Sequence, residues 1–254
     1  VRYNPKKKSD NNNLNRGART VKRLNKYLSN AGLCSRREAD QHIAMGLVSV
    51  NGKIITEMGY QVNPGDEVRY DGQRVRASEP IYLLLNKPKG FVATAQGGVV
   101  KKSVQELIRN AHPENVSPIG DMGRPITGLL FFTNDDALRK KLNNAQKKIL
   151  MVYQVVLDKS ISAAKIEMLK SGIGLRGFVY QVKDVEYIKG GTKREIGIEA
   201  YNLTPATLSK MLEKLEFEVL QMDRMLFAGL TKKDLPRGNW RKLTLKEVNF
   251  LQML

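Results

Sequence analysis

The chain has 254 residues, 41% of them hydrophobic, and carries 43 Lys and Arg against 25 Asp and Glu, a formal net charge of +18. That length accommodates two small cores, and the charge calls for a polyanionic partner, of which nucleic acid is the usual one. Cys34, the one cysteine, cannot form an internal disulfide, and with only His42 and His112 beside it no usual Cys/His zinc set is available. No apolar run approaches bilayer length, no hydrophobic leader opens the chain and no long basic amphipathic helix is apparent. A cytoplasmic protein without membrane contact is therefore expected.

Residues 1–20 are basic, Asn-rich and almost free of apolar side chains, so a disordered basic tail is expected there. It serves either as an arm that orders on RNA or as a solubilising segment. From Val21 the pattern turns helical: Leu24, Tyr27 and Leu28 share one face, Arg23 and Lys26 the other, and Gly32 supplies a stop. Ser35-Arg36-Arg37-Glu38 is a capping box opening a second helix through Met45. Val48–Ile55, broken by Asn51-Gly52, reads as a hairpin with a type I′ turn, and Pro64-Gly65-Asp66 and Asp71-Gly72 bracket a short strand, Glu67–Tyr70.

This order, with the words Arg23-Leu24-Asn25-Lys26-Tyr27-Leu28, Cys34-Ser35-Arg36-Arg37-Glu38-Ala39-Asp40 and Val50-Asn51-Gly52-Lys53, resembles the S4 RNA-binding domain over residues 21–70. Arg36 and Arg37 lie in a helix's first turn, where free N–H groups and the dipole already favour phosphate, and arginine adds bidentate contacts. The expected RNA-binding set is Arg23, Lys26, Arg36, Arg37 and Lys53, joined by Lys87 from the next domain. The alternative is a solvated basic face.

After a polar linker closing at Glu79-Pro80, Ile81–Leu85 reads as a buried strand, Asn86–Gly90 as a turn and Ser103-Val104-Gln105-Glu106 as the cap of a short helix. The stretch Pro118-Ile119-Gly120-Asp121-Met122-Gly123-Arg124-Pro125-Ile126-Thr127-Gly128 is a glycine-rich loop that bends sharply or admits something close to its backbone. Leu129–Phe132 follows as a buried strand, with Asn134 and Asp135 at a helix start. Beyond it the pattern predicts a helix over 136–142, a strand over 152–157, a helix over 162–169 and a strand over 195–201. Thr204 and Pro205 then open a helix burying Leu208, Met211, Leu212 and Leu215, and Thr244 with Glu247 boxes a last helix.

The loop and strand resemble the signature of the RsuA/RluB/RluF family of ribosomal RNA pseudouridine synthases: Gly-Arg-Leu-Asp, two variable residues, Thr or Ser, one more, Gly-Leu-Leu and Thr-Asn. Gly120, Gly128-Leu129-Leu130 and Thr133-Asn134 match without a gap. In between, Asp121 stands at the family's Arg, Gly123 at its catalytic Asp and Ile126 at its Thr or Ser. Tyr153 matches a Tyr that packs against the target base in the family, but Met151 replaces the Lys two residues before it; Tyr153 is read here as core. Where the family carries an Arg-Gln-Ile-Arg-Arg run, this chain has Asn202–Lys210, with Lys210 its one basic residue. Val219–Arg224, Phe227–Leu230 and Leu235–Arg241 resemble the family again, with Arg237 and Arg241 placed either to hold phosphate or to stack on Trp240.

The resemblance implies an α+β fold: an S4-like domain over 21–78, then a larger domain over 79–254 built on a mixed, mostly antiparallel sheet with flanking helices. It implies chemistry by an Asp nucleophile on a flipped base, without cofactor or metal. With both the Asp and the Arg facing it replaced, the expectation is a catalytically inactive protein, monomeric when free. It would bind structured ribosomal RNA or ribosomal particles as an assembly or ribosome-associated factor. The alternative is an active synthase using Asp121, with Arg124 as its partner and Tyr153 against the base.

Overall fold

A computed structural model describes residues 21–76, 79–93, 102–111 and 116–254. The expected tail over 1–20, and His112, lie outside the described residues. The chain divides into two compact units, Val1–Ser78 and Glu79–Leu254.

In the first unit a short strand β1 (Lys22–Arg23) leads into α1 (Leu24–Asn30) and α2 (Arg36–Ala44). Ser35 accepts from the Glu38 amide while Glu38 accepts from the Ser35 amide, the predicted capping box. Strands β2 (Val48–Val50), β3 (Lys53–Ile54), β4 (Gln61–Val62), β5 (Val68–Tyr70) and β6 (Gln73–Val75) follow. They form a four-stranded sheet of order β3-β2-β5-β6 and a β1-β4 pair. Asn51 and Gly52 have φ of 51° and 80°, as a type I′ hairpin requires. Leu24, Leu28, Ala39, Ile43, Val48, Val50 and Val68 make the core of this unit.

The second unit runs β7 (Tyr82–Lys87), α3 (Val104–Ile108), β8 (Ser117–Pro118), β9 (Ile126–Thr133), α4 (Asp136–Leu142), β10 (Leu150–Leu157) and α5 (Ala163–Ser171). It continues β11 (Ile173–Leu175), β12 (Phe178–Tyr180), β13 (Asp184–Tyr187), β14 (Glu195–Tyr201) and α6 (Pro205–Lys214). It ends with β15 (Val219–Phe227), β16 (Leu230–Thr231), β17 (Trp240–Lys242) and α7 (Leu245–Met253). The main sheet has the order β13-β14-β10-β15-β9-β7-β17, with β16 on β15 and β8 on β9. Among the described strands of this sheet β9 and β15 alone pair in parallel, so the sheet is mixed and mostly antiparallel. β7 and β9 are buried on both faces, which is why they read as unbroken apolar runs. β10 alternates, with Met151, Tyr153, Val155 and Leu157 on its buried face.

The structure differs from the expected elements in two ways that bear on function. β7 continues through Asn86 and Lys87, which pair with Leu129 and Gly128 of β9, instead of turning after Leu85. β9 likewise starts at Ile126, inside the glycine-rich loop. The β11–β12 hairpin, β13, β15 and β17 have no counterpart among the predicted elements.

Candidate active site

The loop over 119–125 hangs between β8 and β9 and is tied down along its length. Ile119 donates to Phe131 O, Gly90 to Arg124 O and Ala93 to Met122 O, at 2.7, 2.8 and 3.1 Å. Met122 and Ile119 are buried; Asp121, Gly123 and Arg124 are exposed. A Cβ added at Gly123 would meet only the Pro125 ring, at 3.7 Å, and the backbone there is not left-handed. Neither packing nor conformation therefore demands a glycine at the position of the family's nucleophile.

Lys87, expected to contact RNA, is buried instead. It has no exposed surface, and its Nζ donates to Gly123 O at 3.0 Å, Pro88 O at 3.2 Å and Ile126 O at 2.5 Å. Its three N–H donors meet three carbonyls, so the side chain holds the turn 123–126 against β7 and has nothing left for a phosphate. Burial, aided by the nearby charge of Arg237 and opposed by that of Asp121, brings its pKa down to about 8.

Beneath Gly120 lies Arg224 of β15, 1% exposed, with Nη1 4.0 Å from where a Gly120 Cβ would be. Its Nε donates to Leu129 O at 2.7 Å and its guanidinium covers the Phe227 ring at 4.7 Å. Burial pushes its pKa down while the adjacent Tyr153 hydroxyl pushes it up. Among the described residues its Nη2 has no hydrogen-bond partner. Tyr153 is fully buried, its hydroxyl donating to Leu203 O at 2.7 Å and lying 3.2 Å from the Met151 sulfur. Burial raises its pKa, so the phenol stays neutral. Its ring is packed into the core of the second unit.

The segment 202–210 folds as expected without its arginines. Thr204 accepts from the Thr207 amide, Pro205 opens α6, and Leu208, Met211 and Leu212 are buried. Lys210, its basic residue, is exposed on the helix, away from these buried contacts. Arg237 and Arg241 are both paired with carboxylates. Arg237 grips both Asp223 carboxylate oxygens, at 3.0 and 2.9 Å, and Asn86 Oδ1 at 2.9 Å. Arg241 forms a bidentate pair with Glu247 at 2.8 and 2.6 Å. Asp223, which also accepts from Thr127 and pairs with Lys232, is a site residue that the sequence did not reveal. Lys232 and Arg237 follow it by 9 and 14 residues and Thr127 precedes it by 96, spacings that no helix or strand periodicity marks.

Of the first unit's expected RNA contacts, Arg23, Arg36, Arg37 and Lys53 are exposed and Lys26 is half-buried. Arg36 and Arg37 occupy the first turn of α2, as predicted. His42 shares a hydrogen bond of 3.1 Å with the Tyr70 hydroxyl. Among the described residues no cluster of His, Cys, Asp and Glu could hold a metal.

Comparison with known proteins agrees with this geometry. The S4 domain model matches residues 22–68 and the RNA pseudouridylate synthase model residues 81–199. The chain is 33% identical to the dual-specificity RNA pseudouridine synthase RluF of Escherichia coli K12, over 89% of this chain and 77% of that one. It is 30% identical to the ribosomal large subunit pseudouridine synthase B of Bacillus subtilis, over 92% and 97%. A crystal structure of a pseudouridylate synthase superposes with a TM-score of 0.63 at 21% identity, covering 90% of this chain and 99% of that one, a likeness of fold. Identity of this extent, carried across both units, places the chain in the RsuA/RluB/RluF family of RNA pseudouridine synthases.

Proposed function

We propose that this chain is an RNA-binding family member that has given up isomerisation, and that it acts on structured ribosomal RNA during or after ribosome assembly. The observation carrying this is Gly123: the position of the family's nucleophile holds no side chain, although the backbone there has room for a Cβ. Detaching uracil from its ribose requires a nucleophile and a counter-cation that holds it ionised. Here α6 brings no arginine, and the buried Tyr153 presents nothing to a flipped base. What remains is the RNA-binding half, with Arg36 and Arg37 exposed at a helix start, and a net charge of +18. No described helix is long and apolar enough to cross a membrane. The reading places the chain in the cytoplasm, as a monomer when free.

The test is to incubate the purified chain with ribosomal RNA from cells lacking it and to map new pseudouridine. No new pseudouridine is expected, from the natural chain or from Gly123→Asp, which restores the acid but not the arginines. Turnover by the natural chain that vanishes with Asp121→Ala would overturn the reading in favour of Asp121 as nucleophile. RNA affinity is expected to fall steeply with salt. Arg36→Ala with Arg37→Ala should flatten that slope by roughly 0.9 for each duplex phosphate contact removed.

A further inference from the structure

β11 and β12 form a tight hairpin whose two-residue turn is Arg176-Gly177, at φ of 49° and 83°. The first position of such a turn is normally filled by Asn, Asp or Gly, which tolerate the left-handed conformation. An arginine there is strained backbone with a long cationic side chain attached, an arrangement that suggests use of the side chain. The hairpin leans on α6, and between them lies a groove of about 410 Å³.

Three cations line this groove: Arg176 from the turn, and Lys210 and Lys214 one helical turn apart on α6. Lys214 donates to Gly174 O at 2.6 Å, which ties the helix to the hairpin and leaves two of its N–H groups. Among the described residues, Arg176 and Lys210 form no ion pair and no side-chain hydrogen bond, although Glu213 stands on the same lining. Apolar surface accompanies the charge. Leu175 and Tyr180 line the groove, and Phe178 is paired with Leu175 across the hairpin and sits two residues before Tyr180. Strand alternation puts all three on one face, where Phe178 is 68% exposed.

Resting on the reading of the chain as an RNA-binding protein, we infer that this groove is a second RNA contact, taking a single-stranded segment. Its phosphates would meet Arg176, Lys210 and Lys214, and a base would stack on Phe178. Unpaired cations beside an exposed ring are what a single strand needs, because every base has a stacking face and every linkage a charge. A duplex, with its bases already stacked, would leave Phe178 uncovered.

The experiment measures binding of a labelled oligouridine to the full chain as a function of salt. Arg176→Asn combined with Lys210→Ala keeps the turn, since Asn tolerates its conformation, and should weaken binding at least tenfold at low salt. It should flatten the salt slope by about 1.4, two single-strand phosphate contacts at about 0.7 each. Phe178→Ala should weaken binding about fivefold to tenfold with the slope unchanged, as loss of stacking predicts. Photocrosslinking of 4-thiouridine should label the segment 178–180. Affinities within twofold of the natural chain for every groove variant would overturn the inference. So would polyglutamate binding in place of the oligouridine, lost with Arg176→Asn, which would make an acidic protein segment the occupant. Because Arg36→Ala and Arg37→Ala are read on structured ribosomal RNA, unchanged groove variants beside weakened Arg36 and Arg37 variants would refute the groove alone. Unchanged binding of both RNAs in all variants would refute the functional reading with it.

Discussion

Gly128→Ala is expected to unfold the second unit or to lower its stability by about 4 kcal/mol or more, the range reached when backbone clash and left-handed strain combine. Gly128 opens the family's Gly-Leu-Leu word and sits at φ 102° where β9 and β15 run parallel. An added Cβ would come within 2.5 Å of Arg224 N and Asp223 Oδ1, and closer still to Arg224 O. Those are ladder atoms and a clamped carboxylate, not the free end of a flexible side chain, so nothing can move aside cheaply. Gly123→Ala is the paired control and should change stability by about 0.5 kcal/mol or less, as surface substitutions do. Urea unfolding of both variants, compared at unchanged m, makes the measurement. Equal losses would mean that Gly123 is as structural as Gly128, and its missing side chain would then say nothing about a discarded nucleophile.

That contrast marks where the sequence was legible. Signals that act over a few residues are legible. Ser35 with Glu38, Ser103 with Glu106 and Thr244 with Glu247 all form the reciprocal boxes their spacing implied. Asn51-Gly52 makes its turn, and α4 and β14 have the predicted bounds. Tyr153 belongs to the core because β10 alternates. Burial of Lys87 is not legible locally, because Asn-Lys-Pro-Lys-Gly has turn composition while the contacts that bury it come from elsewhere in the chain. Asn86 donates to Leu235 O, 149 residues away, and the carbonyls that receive the ammonium belong to Gly123 and Ile126 as well as to Pro88. The β11–β12 turn was invisible for a different reason. Arginine is a poor residue for a left-handed position, so local propensity argues against the turn that Arg176 and Gly177 make. Arg224 shows the same limit: a charged residue in a strand pattern suggests an exposed face, yet its guanidinium lies inside, bonded to Leu129 O and covering the Phe227 ring.

The clamp on Asp223 should appear as acid sensitivity. Burial alone would raise the pKa of this carboxyl, but hydrogen bonds from Arg237 and Lys232, with their charges, hold it at about 2. The folded pKa lies below that of the unfolded chain, so between the two the unfolded state binds the extra proton. The stabilisation is therefore complete above roughly pH 4 and drains away as the pH falls towards 2; it amounts to about 2 kcal/mol. Asp223→Asn should cost about that much at pH 7 or somewhat more, because it leaves Lys232 and Arg237 without their carboxylate, beside the buried Lys87 that already feels Arg237. Glu247, held at about 2 by Arg241 against the effect of its own burial, weakens over the same range, so the acid limb of the natural chain alone cannot identify its source. The difference between natural and variant chains can. Urea midpoints taken from pH 7 down to pH 2.5 should converge as Asp223 protonates, with Glu247 cancelling from the comparison. A gap that stays constant over that range would show that Asp223 stabilises the unit by packing or by its bond to Thr127, and not as the anion that neutralises Lys232 and Arg237.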